Sequence, residues 1–143
     1  MKRIGFAAVA GLAMVFLTVP LVCHGSSGST WHVTVRNPTG VTASVGVYYA
    51  TGQGYDDWIV AYIDPGGGHT FNVPGAKCPT GLSGAFWIGG GYSHLLRGTS
   101  ALGHEVPSNL WTPVCANLTF DVCRKAGIEG ESPHDGDFGF CKK

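Results

Sequence analysis

The chain has 143 residues, 23 of them Gly and 8 Pro, with 9 basic side chains against 9 acidic ones. Charged residues make up only 13%, about half the usual share, which excludes a charge-rich disordered tail or a coiled coil. The glycines follow no three-residue period and aromatic residues reach 11%, so collagen and flexible linker are excluded too. One compact, loop-rich domain remains.

The first stretch reads as a secretory leader. Lys2 and Arg3 supply a positive start, Gly5 to Val22 is an uncharged and mostly apolar run, and Pro20 breaks the helix before small residues at Gly25, Ser26 and Ser27. Cleavage after Gly25 is expected, giving a leader of residues 1–25 and a single exported domain over 26–143, secreted or periplasmic. An uncleaved N-terminal anchor is one alternative, because 18 residues approach the length of a membrane span. A lipoprotein held through Cys23 is another, although Pro20-Leu21-Val22 lacks the small residue wanted before the cysteine. Without the leader, 7 basic residues face 9 acidic ones, a formal charge of −2. No sustained basic face is left to release counterions, so nucleic acid is not an expected partner. No later run is long and apolar enough to span a membrane.

The strands follow in order. Trp31, Val33 and Val35 alternate with His32, Thr34 and Arg36, and after Asn37-Pro38-Thr39-Gly40 the alternation resumes over Val41, Ala43, Val45, Val47 and Tyr49. Asn, Pro and Gly at those turn positions predict a type I turn, hence an antiparallel hairpin with one face in the core. Trp58 to Ile63 is apolar on both faces, which predicts a central strand. Asp64-Pro65-Gly66-Gly67-Gly68 turns that strand into a short one, His69 to Val73, closed by Pro74-Gly75. A pair follows at Ala85 to Ile88 and Tyr92 to Arg97, separated by Gly89 to Gly91, and the last strand is Leu118 to Arg124. About seven short strands with Gly/Pro turns predict an all-β fold, a small antiparallel β-sandwich or small barrel.

Four cysteines remain after the leader, Cys78, Cys115, Cys123 and Cys141, with no C-x-x-C spacing for zinc or thiol redox work. Two disulfides are expected. An extended Leu118 to Cys123 holds Cys115 about 25 Å from Cys123, far beyond the roughly 7 Å a disulfide allows. Cys123 lies on the face opposite Leu118, Phe120 and Val122, well placed to tie a tail crossing that outer face. Cys123–Cys141 with Cys78–Cys115 is therefore favoured over Cys78–Cys123 with Cys115–Cys141.

Catalytic motifs are weak. Gly98-Thr99-Ser100-Ala101-Leu102-Gly103 has one residue too many for a nucleophile elbow, and His104-Glu105 is followed by Val106-Pro107 instead of a second zinc-ligand His. A pocket joining His94 or His104 to Ser100 and a carboxylate would be needed to support a hydrolase. Asp135 and Asp137 alternate in a Gly-containing loop and are weak candidates for a hard cation, but Gly139 and Cys141 stand where further ligands belong. No cofactor is expected. Asn117-Leu118-Thr119 is a formal glycosylation sequon.

The aromatic residues carry more. Tyr48 and Tyr49 must point to opposite faces, Trp58 and Tyr62 share a face, and Tyr55 and Trp111 sit in loops. Flat rings on a rigid sandwich stack on sugars or anchor a protein partner, and Tyr48, Tyr55 and Trp111 are the candidate ligand-binding residues. A non-catalytic module recognising a glycan or a protein surface is expected. The alternative is a structural or assembly component of the cell envelope with no small ligand. From Trp31 to Gly75 the sequence also resembles the opening of thaumatin-like proteins. The shared elements are a hairpin ending in Asn, the Pro65-Gly66 turn and the Thr-Phe-Asn-Val-Pro strand over Thr70 to Pro74. That family is far richer in cysteine, and the likeness implies only a β-sandwich.

Overall fold

The structure, a computed structural model, describes residues 29–88, 92–129 and 133–143. The leader over residues 1–25 and the Gly89 to Gly91 turn lie outside the described residues. Eight strands form: β1 (Trp31–Arg36), β2 (Thr42–Ala50), β3 (Asp57–Ile63), β4 (Gly68–Val73), β5 (Cys78–Ile88), β6 (Tyr92–Ser100), β7 (Leu118–Arg124) and β8 (Phe138–Lys142). They make two four-stranded sheets, ordered β4-β1-β7-β8 and β3-β2-β5-β6. The period-2 pattern explains the sandwich. Val33, Val35, Phe71, Val73, Phe120 and Val122 of the first sheet face Ala43, Val45, Val47, Leu82, Phe86 and Leu96 of the second in one buried core. Each fully buried side chain of this size contributes about 1.5–3 kcal/mol.

Two expectations about strand placement are corrected. First, β1 and β2 do not form a hairpin: β1 pairs with β4 and β7, while β2 pairs with β3 and β5. Both strands bury one face in the same core, but from opposite sheets. The turn between them is an arch held by the buried Asn37, whose side-chain amide donates to Val41 O at 2.7 Å and Ile63 O at 3.0 Å. Second, β3 is not central but the edge of its sheet. The expected all-β sandwich is present, its strands pairing antiparallel except for β1 with β7.

The Asp64–Gly68 turn forms where Pro and Gly place it. Gly67 N–H donates to Asp64 O at 2.9 Å, and Gly66 adopts φ 74°, which a side chain would resist. The disulfides join Cys78 to Cys115 and Cys123 to Cys141, with Cα atoms 4.8 and 5.9 Å apart. The tail does not cross the outer face; it pairs beside β7 as β8, with Asp121 opposite Cys141 and Cys123 opposite Gly139. Cys123–Cys141 therefore links two strands diagonally. Such bonds belong to oxidising compartments. Among the described residues no helix is long and apolar enough to cross a membrane.

Candidate functional site

The two outer faces of the sandwich differ in chemistry. On the first sheet, side chains pair across strands: His32 Nδ1 lies 2.7 Å from Asn72 Oδ1, and the Thr34 and Thr70 hydroxyls are 3.0 Å apart. Arg36 Nε donates to Asp121 Oδ1 at 2.7 Å, and Lys143 Nζ reaches Asp121 Oδ2 at 3.0 Å. Burial pushes the Asp121 carboxyl up, but the hydrogen bonds and charges of Lys143 and Arg36 outweigh it and hold the group below its ordinary value. This face is built to meet water.

The second sheet turns out a different set. Cross-strand register puts Tyr48 opposite Trp58, Gly46 opposite Val60 and Ser44 opposite Tyr62, with Gly81, Ser83, Ala85 and Trp87 continuing the face on β5 and Leu95 on β6. None of these residues is charged. Trp58, Val60 and Tyr62 are 52, 51 and 66% exposed, and Trp87 and Leu95 are exposed as well. The apolar run on both sides of β3 thus has two separate causes. Ile59, Ala61 and Ile63 serve the core, whereas Trp58, Val60 and Tyr62 face solvent. Contiguous exposed apolar surface of this kind marks an interaction site.

At one end of this face the aromatic rings gather. Tyr48 packs on Tyr55 with ring centroids 4.8 Å apart, on Trp111 at 5.5 Å and on Trp58 at 6.1 Å. Tyr55 also meets Trp111 at 6.3 Å and Trp58 at 6.4 Å. Glycines clear the floor beneath them. A Cβ at Gly46 would stand 3.3 Å from the Tyr48 ring, and one at Gly81 would overlap the Trp111 indole outright. Both rings therefore lie against the sheet. Ser83 Oγ donates to Tyr48 Oη at 2.9 Å, and Trp111 Nε1 donates to Val106 O at 3.0 Å. The Cys78–Cys115 disulfide, with Val114 N–H donating to Pro79 O at 2.8 Å, pins the loop that carries Trp111.

The three sequence-selected rings, Tyr48, Tyr55 and Trp111, thus fall in one cluster, though not in equal exposure. Trp111 is only 3% exposed despite its loop position, while Tyr55 is 45% exposed. A loop residue becomes buried when the loop folds back over a sheet, and glycines at 81 and 98 give Trp111 its seat. Two hollows flank Tyr55. One, of about 320 Å³, is lined by Tyr48, Tyr55, Ser83, Gly98, Val106, Ser108 and Trp111. The other, of about 340 Å³, is lined by Gln53, Gly54, Tyr55, Ser108 and Asn109. Sequence alone does not single out Gln53, Ser83, Ser108 or Asn109, since polar residues in turns carry no pattern of their own. Larger hollows near Pro38 are lined by Arg36, Asp121, Arg124, Glu129 and Lys143, of which Arg36 and Lys143 pair with Asp121 and Arg124 lies over the Phe138 ring.

The other candidate residues are engaged locally. Asp135 Oδ1 accepts from Leu95 N–H at 2.9 Å, closing the β6 edge, and Asp137 Oδ2 accepts from His134 N–H at 2.9 Å within its own turn. That main-chain hydrogen bond is the main cause holding the Asp137 carboxyl below its ordinary value, burial opposing it and the nearby His134 adding to it. Among the described residues no group of three or more His, Cys, Asp or Glu side chains is arranged to hold a metal ion. Ser100 is buried, and its hydroxyl accepts from the His104 main-chain N–H at 3.1 Å. His94 Nδ1 instead faces Asp135 Oδ1 at 3.6 Å. The sequon residue Asn117 accepts through Oδ1 from His32 N–H at 2.9 Å.

No protein-family model matches the chain, and no curated protein matches it. Among solved structures the chain is similar to the crystal structure of listeriolysin O, at 8% identity and a TM-score of 0.40. That match covers 80% of this chain and 22% of the other, so the chain spans about a fifth of its length.

Proposed function

We propose that this protein is a non-catalytic binding module, exported by its leader to the periplasm or the medium, that recognises a glycan or a protein surface through the outer face of the β3-β2-β5-β6 sheet. One observation carries the reading. A single chain builds two outer faces, one polar and cross-paired, the other without a charged side chain on the outer face of β2, β3 or β5 and with Trp58, Val60 and Tyr62 held in solvent. Exposing three large apolar residues on one strand costs solubility and adds nothing to the core, so a partner is the physical reason for it. Export is supported by the leader pattern and by the two disulfides.

The test replaces the face without touching the core. Trp58→Ser with Tyr62→Ser should keep the thermal transition within a few degrees and abolish capture on a glycan array or by the purified partner. Unchanged capture by a folded double variant would refute this use of the face.

A second reading, an assembly component of the envelope, is favoured by the edge position of β3. Among the described residues its outward main-chain groups have no neighbouring strand, and an uncovered edge beside an apolar face pairs readily with another chain. Light scattering separates the two: assembly requires a concentration-dependent oligomer that Val60→Lys dissolves, whereas a binding module stays monomeric without its ligand.

A further inference from the structure

We propose that the two hollows flanking Tyr55 are adjacent subsites for neutral sugar units, so that the ligand is an uncharged oligosaccharide of two or more residues. The inference rests on the binding-module reading and specifies its ligand. Its first support is the placement of the hollows. They share Tyr55 and Ser108, so a ligand filling both runs past one ring and one hydroxyl. Each volume, about 320 and 340 Å³, sits at the lower end of the range for small-ligand sites.

The second support is the chemistry of the lining. Its polar side chains include the Gln53 and Asn109 amides, the Ser83 and Ser108 hydroxyls and the Tyr48 and Tyr55 phenols. These groups both donate and accept, matching sugar hydroxyls, which do the same. Among the described residues neither hollow is lined by a charged side chain, so no opposite charge compensates an anionic ligand. Tyr55 keeps 45% of its surface open although it touches three other rings, leaving apolar ring surface for the C–H side of a sugar.

The third support is rigidity. Gly54 N–H donates to Trp111 O at 2.7 Å, tying the loop before β3 to the loop pinned by Cys78–Cys115. Leu110 N–H donates to Pro107 O at 2.8 Å, closing the short turn that presents Ser108 and Asn109. Both walls are thus fixed before a ligand arrives, which limits the ordering cost of binding.

The experiment titrates the full chain with neutral mono-, di- and trisaccharides of the gluco-, manno-, xylo- and N-acetylglucosamine series. Calorimetry and tryptophan fluorescence report binding, with phosphocholine as a charged control. At least one series should bind, with affinity rising about ten-fold or more from mono- to disaccharide as the second hollow fills. Tyr55→Ala should weaken that disaccharide about ten-fold, while Tyr55→Phe retains most affinity. Asn109→Ala, in an exposed turn, should cost several-fold without changing the circular dichroism spectrum. Thr70→Ala, on the outer face of the other sheet, should leave affinity unchanged.

Equal affinity for mono- and disaccharide, or binding that is indifferent to both Tyr55→Ala and Asn109→Ala, overturns the subsites. If such binding is lost in Trp58→Ser with Tyr62→Ser, the face reading survives their failure. Phosphocholine binding stronger than any sugar overturns the neutral-ligand assignment. Should no sugar bind while a purified protein partner is lost on the same double substitution, the sugar inference fails and the module reading stands.

Discussion

Gly81→Ala tests whether the aromatic cluster is built on the sheet as described. A Cβ at position 81 would overlap the Trp111 indole and stand 2.7 Å from Thr99 O, so either the ring or the β5–β6 pairing must move. Trp111 is 3% exposed, and stripping such a ring from its seat altogether costs about 3–5 kcal/mol. Partial accommodation by strain costs about 1–3 kcal/mol. We therefore expect Gly81→Ala to destabilise the fold by about 2–4 kcal/mol, measured by urea denaturation followed by far-ultraviolet circular dichroism. Gly46→Ala is the matched control. There the new Cβ meets only the Tyr48 ring at 3.3 Å, and alanine stiffens the unfolded chain, so the change should stay within about 0.5 kcal/mol. Adding Trp111→Ala to Gly81→Ala should cost less than the two separate losses together, with a coupling of about 1 kcal/mol or more. Additive losses, or a Gly81→Ala variant as stable as the wild type, would refute the packing argument.

Three further outcomes follow from the same geometry. Asp121 is held below its ordinary value, so its contribution to stability is complete above the unfolded carboxylate range near pH 4 and is lost as pH falls through the lower, folded value. The stability gap between wild type and Asp121→Asn should accordingly be steady from pH 7 to 5 and close in more acid solution; a pH-independent gap would sink this account. Opening Cys123–Cys141, which spans 18 residues, should cost about 3 kcal/mol, and opening Cys78–Cys115, which spans 37, nearer 4. Only the second should also loosen Trp111, seen as a red shift in its fluorescence, because only that bond anchors its loop. Thr99 is fully buried with a hydroxyl that has no hydrogen-bond partner among the described residues, so Thr99→Val should be neutral or stabilising by up to about 1 kcal/mol in the same denaturation assay.

The candidate site was partly legible in the sequence. Tyr48 could be placed on an outward face because it adjoins Tyr49 in an alternating strand, and Tyr49 is indeed the buried one. Trp111 illustrates the opposite case. Nothing local says that residue 111 lies on residue 81, since that contact depends on a loop folding back and on the absence of a side chain at Gly81. The β3 strand was misassigned for a related reason. An apolar pattern on both faces is common to a strand buried twice and a strand buried once with a sticky outer face. Only the strand order separates them.

By itself, then, the sequence determined the period-2 strands, the Pro65-Gly66 turn and the exclusion of a Cys115–Cys123 bond. Each depends on local geometry, namely alternation, the restricted φ of proline and the short reach of a disulfide. The tertiary structure alone decided which sheet each strand joined, that β1 and β2 line one core from opposite sheets, and that Trp58, Val60 and Tyr62 stay open to solvent. Alternation marks which side of a strand is apolar, but carries no record of the partner that side will meet.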